Sequence, residues 1–151
     1  MLKAIGNLID KFSTQSEENS QMSREHSVRL ATALLLVEVA RADYKEDLAE
    51  DAAIFSLLKE FFDLSDTQAS ILLEQARSEA DHAASLQTFT RDLHEELSQD
   101  EKHRVIEMLW QVALADNHLD KHEDHLVRKV AGLLYISHSD LIRIRNRVRN
   151  K

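Results

Sequence analysis

The chain has 151 residues, 43% apolar and 30% charged, with a formal charge of −8. That size and balance are those of one soluble domain with its own core, and the acidity argues against a nucleic-acid-binding surface as the main business of the chain. With no proline, two glycines and no cysteine, the turn-rich β-sandwiches and barrels are excluded. So are disulfides, thiolate metal sites and cysteine nucleophiles. The composition is all-α.

In chain order, Leu2, Ile5, Leu8, Ile9 and Phe12 recur at helical spacing, so MLKAIGNLIDKF reads as a short amphipathic helix. Lys3, Asn7, Asp10 and Lys11 interrupt its apolar positions, which is unlike a secretory leader. The polar run STQSEENSQMS follows as a linker, with Ser23 as the cap of a long helix to about Asp43. Its middle, ATALLLVEVA, is apolar almost all round and belongs at the centre of the core. The next helix is expected from about Asp47 to Phe62, with Leu48, Ala52, Phe55, Leu58 and Phe62 inward. Ser65 with Gln68 and Ser98 with Glu101 have capping-box spacing, opening helices to about Ala83 and Asp116. A shorter helix fits Thr88 to Leu97, and the last two run from about Asp120 to Tyr135 and from Ser137 to about Arg149. Trp110 reads as a core residue, as do Leu141, Ile144 and Val148. The apolar runs, such as Ala33 to Val37, are too short to span a bilayer.

An internal repeat runs through this pattern. VARADYKEDLAED (Val39 to Asp51) matches VALADNHLDKHED (Val112 to Asp124) at seven of thirteen positions. Phe62 to Ala69 then lines up with Leu134 to Leu141, placing a serine cap at the same point. The expected architecture is a single all-α domain of seven or eight helices, residues 23–151, after an N-terminal segment 1–22. Its two helix–loop–helix halves, about 28–70 and 101–144, are related by a pseudo-twofold axis.

Each half carries A-D-x-x-x-D-x-x-E-D. Asp47 with Glu50, and Asp120 with Glu123, have capping-box spacing, and acids there suit the helix dipole. Asp43 and Asp116 are different: they fall at the C-terminal end of the preceding helix, where the dipole disfavours an anion. Carboxylates clustered in this way repel unless a cation lies between them. Asp43, Asp47, Glu50, Asp116, Asp120 and Glu123 are therefore the candidate ligands of a hard divalent cation, calcium or magnesium. The spacing is not that of an EF-hand.

Other patterns carry less. His118, His122 and His125 share a helical face and would suit soft metals, but Lys45, Ala49 and Ala52 replace them in the first half, so a solvated face is the simpler reading. Only Glu79 and His82 offer the Glu-x-x-His spacing of a di-iron bundle. No nucleophile elbow or phosphate loop is present. Five basic residues from Arg143 to Lys151 fit a final helix whose cations complement its dipole, with an anionic partner as the alternative.

The segments LLLVEVARADYKEDLAED and LWQVALADNHLDKHED resemble those of the tellurite-resistance TerB-like family, over roughly Val28 to Ile144. Tyr44 and Asn117 stand where family segments often have glycine. The resemblance implies a non-enzymatic, metal-responsive binding or scaffold module in the cytoplasm, linked with tellurite resistance or stress response. It also implies a protein partner at or near the inner membrane, and assigns the cation to the six carboxylates named above. A metal-dependent hydrolase or oxidase on the same carboxylates, and a protein-interaction domain without metal, are the alternatives.

Overall fold

The computed structural model describes residues 24–42, 48–81, 86–115 and 119–150. They form helices only: α1 (24–41), α2 (Leu48–Phe61), α3 (Asp66–Ala80), α4 (Leu86–Glu96), α5 (Gln99–Ala113), α6 (Lys121–Leu133) and α7 (His138–Arg149). Among the described residues there are seven helices and no strand, the expected all-α domain. Residues 1–23, with the amphipathic segment, the linker and the Ser23 cap, lie outside the described residues.

Local chemistry sets the helix starts. Ser65 takes the Gln68 amide and Gln68 Oε1 takes the Ser65 amide, a closed capping box. Ser98 and Glu101 do the same at α5. Ser137 accepts from the Asp140 amide at the start of α7. Each cap satisfies amides that the first turn leaves without helical partners.

The ends of α2 and α6 share one geometry. Asp63 (φ 52°) and Tyr135 (φ 59°) adopt the left-handed conformation just past each helix. The following amides bridge back: Leu64 to the Lys59 carbonyl and Ile136 to the Ala131 carbonyl, both at 2.9 Å. Leu64 and Ile136 are buried. This is the Schellman arrangement, in which an apolar residue beyond the turn pins the helix end to the core. It recurs at the aligned positions of the two proposed halves.

One continuous core joins all seven helices. Residues 31–37 of α1 are buried on every side, as the unbroken apolar run requires. Its single hydroxyl there, Thr32, donates to the Val28 carbonyl at 2.8 Å. α5 packs against α2, α6 and α7, while α3 lies on α2 and α4 on α6. Trp110 of α5 is fully buried, and its Nε1–H donates to the Leu141 carbonyl at 3.3 Å, tying α5 to α7. Leu141 and Ile144 are buried as expected, and Val148 packs partly buried beside them.

α2 departs from expectation. Among its described side chains Ile54 and Leu58 are buried, Phe55 and the following Phe62 are half-buried, and Ala52 is exposed, while the side chain of Leu48 lies outside the described residues. The helix is turned so that Ile54 enters the core, because a branched side chain removes more apolar area from water than alanine does. Phe61 and Phe62 at its end meet edge to face at 4.7 Å, and Arg104 of α5 covers the Phe61 ring.

Candidate functional site

The acidic motif of the second half opens α6. Asp120 is the N-cap, with extended backbone (φ −73°, ψ 143°), and its Oδ1 accepts from the His122 amide at 2.8 Å. The cap thus reaches the second helical residue, not the third as in the boxes at Ser65 and Ser98. Glu123 is fully buried, with both carboxylate oxygens shut off from solvent. Its position explains this. Glu123 falls in register with Val127, Val130, Ala131 and Leu134, the buried stripe of α6. A capping role read from spacing alone overlooks that stripe, although the sequence displays it.

The last aspartate of each motif is engaged elsewhere. Asp124 Oδ2 takes Arg128 Nε at 2.8 Å one turn along α6. Asp51 pairs with Arg77 of α3 at 3.0 Å, joining α2 to α3. Asp43, Asp47 and Asp116 lie outside the described residues, and so does the side chain of Glu50. Asp120 and Glu123 stand three residues apart at the start of α6, the Asp120 carboxylate turned to the His122 amide and the Glu123 side chain buried along the core stripe. Among the described residues no three His, Asp or Glu side chains form a metal-holding group. The two described carboxylates offer oxygen donors, the ligand chemistry that a hard cation takes.

His122 and His125 are exposed, as a solvated face requires; His118 lies outside the described residues. In α7, Arg143 pairs with Asp140 at 3.0 Å, and Arg145 lies over the Trp110 ring. Arg147 and Arg149 occupy the last turn, where cations suit the dipole. No helix among the described residues is long and apolar enough to cross a membrane.

One cluster was not apparent in the sequence. Lys102 of α5 is 7% exposed and its Nζ lies 2.8 Å from His94 Nδ1 of α4. The His94 ring in turn packs against Tyr135, centroids 4.7 Å apart. His94 and Lys102 lie on successive helices and Tyr135 far along the chain, and no spacing rule links the three.

An all-helical domain with acidic residues opening α6 is what the resemblance leads one to expect, and a comparison with family models decides the matter. The model of the family described as tellurite resistance protein TerB matches residues 29–146. The chain belongs to the TerB family. No curated protein and no solved structure matches it. The TerB match runs from the second turn of α1 into α7, so it takes in both copies of the acidic motif and all the helices between them.

Proposed function

We propose that this TerB-family chain is a non-enzymatic binding module whose duplicated acidic loops hold a divalent cation, calcium or magnesium. Asp43, Asp47 and Glu50 would act from one half, and Asp116, Asp120 and Glu123 from the other. The observation that carries this reading is Glu123: a carboxylate closed off from water, one turn from the Asp120 cap. A carboxylate in a low-dielectric setting attracts a cation more strongly than one in bulk water. When bound, the cation supplies charge neutralisation and cross-links the carboxylates. The protein's part is to hold Asp120 by its bond to the His122 amide and Glu123 by its place in the α6 stripe.

Bound only by the folded state, the cation adds stability by mass action, so occupancy becomes a signal that a protein partner can read. The family supports a role in tellurite resistance or a related stress response. The partner site belongs in the cytoplasm, at the inner-membrane face. Titration calorimetry of the metal-stripped full chain tests the reading. Calcium or magnesium is expected to give a saturable heat, with affinity reduced at least tenfold, about 1.4 kcal/mol, in Asp120→Asn and Glu123→Gln. No saturable heat from either ion, or affinity unchanged in both variants, overturns it.

A further inference from the structure

The cluster of Lys102, His94 and Tyr135 has no part in the cation reading. Lys102 of α5 is buried, and a buried lysine is ordinarily paired with a carboxylate. Among the described residues, however, no carboxylate forms an ion pair with Lys102 or with His94. Beside Lys102 in the chain, Glu101 closes the Ser98 capping box and Asp100 is exposed. Along α4, Arg91 and Glu95 are exposed; on α6, against which α4 packs, Arg128 is held by Asp124 and Lys129 is exposed. The partner Lys102 does have is an imidazole, its Nζ lying 2.8 Å from Nδ1 of the half-buried His94.

That contact fixes a protonation state. An ammonium group donates and has no lone pair, so Nδ1 accepts and His94 is neutral, with its proton on Nε2. A doubly protonated ring donates from both nitrogens and offers Lys102 nothing. It would also set two positive charges 2.8 Å apart, a repulsion larger than the attraction of the α4 C-terminus for an imidazolium. The Tyr135 ring against His94 is 75% exposed and gives a charged ring only a water-screened π face. The helix such a change would move is α4. It buries Thr90 and Leu93 alone, where α5 buries eight residues, and thinly anchored elements open first.

We infer that His94 is an acid-operated clasp: neutral, it holds the last turn of α4 to Lys102 of α5, and protonated, it lets that turn go. The clasp's contribution is present while the imidazole is neutral and is lost as pH falls and the ring takes up a proton. His103 has the opposite sign, because protonation strengthens its contact with Asp140, 3.6 Å away. The effect is therefore read locally at α4, not from the stability of the whole molecule. The inference goes beyond the cation reading and does not depend on it.

Amide hydrogen exchange of the full chain at about pH 8 and about pH 5, the span over which an ordinary histidine changes charge, tests it. Corrected for the intrinsic effect of pH, protection of the Glu96 and Leu97 amides should fall about tenfold at the lower pH, while the Ile106 and Trp110 amides of α5 keep theirs. In His94→Asn, whose side-chain oxygen accepts a hydrogen bond and takes up no proton, the fall should vanish. Lys102→Met should abolish it as well, and the α5 amides report in each variant that the core is intact. Ring-nitrogen spectra of the parent at the higher pH should place the His94 proton on Nε2. Three results overturn the inference: α4 protection that ignores pH in the parent, a fall that persists in His94→Asn, or a proton found on Nδ1. The first and the last need no variant to fold.

Discussion

Asp63 and Tyr135 hold a left-handed backbone that costs an L residue about 1–2 kcal/mol relative to the right-handed region. Tyr135 gains some return by packing on His94, whereas Asp63 is exposed. Asp63→Gly should therefore stabilise the protein by about 0.5–1 kcal/mol, read as a raised midpoint in urea with the slope unchanged. Glu38 carries another local cost. It is the one carboxylate within the buried run of α1; burial raises its affinity for a proton, and the Arg41 guanidinium offsets only part of that. A raised carboxyl pKa means the folded state holds the proton longer than the unfolded state. Stability from this group is greatest below its ordinary value and declines as pH rises through the folded value. In Glu38→Gln that decline should vanish from urea midpoints measured across the acid range, and stability at neutral pH should rise. Asp140 has the opposite sign. The hydrogen bond from Ser137, aided by Arg143, holds its carboxyl below the usual range, so its contribution is present above the ordinary value and is lost as pH falls through the folded one.

At the scale of elements, the starts of α3, α5, α6 and α7 were legible because caps are local: Ser65, Ser98, Asp120 and Ser137 each bond to an amide two or three residues away. Ser65→Ala and Ser98→Ala should each cost about 1 kcal/mol. Being on separate helices with no shared partner, the two should add in the double variant, within about 0.5 kcal/mol. Denaturation of the four proteins by urea checks both statements. The inward face of α2 was not legible in the same way. Ala52 and Ile54 are both compatible with a helical stripe, and the choice between them is made by packing against α3 and α5, which no spacing within α2 encodes. The Lys102–His94–Tyr135 cluster is likewise a product of packing between α4, α5 and the end of α6.

For the whole molecule, helix formers without proline or cysteine left few folds available, and the TerB match over residues 29–146 agrees with the doubled acidic segments. The proposed site is legible in the sequence as chemistry, in the doubled carboxylates. The repeat identifies carboxylates that no helix dipole accounts for, namely Asp43 and Asp116, but spacing alone gave Glu123 the wrong surroundings. Its burial follows from the α6 stripe, which the sequence displays but a reading by capping-box spacing overlooks. Occupancy of the proposed site should tie the two halves together. By mass action, a cation at a hundred times its dissociation constant adds about 2.7 kcal/mol to a folded state that alone binds it. The most direct measurement is a thermal melt of the metal-stripped chain with and without calcium or magnesium, beside Asp43→Asn/Asp116→Asn. A saturable rise in Tm with either ion, absent in the double variant, is the expected result. A Tm that neither ion moves, with the double variant as stable as the parent or more so, would contradict the cation site and leave the carboxylates as helix caps and solvated acidic surface.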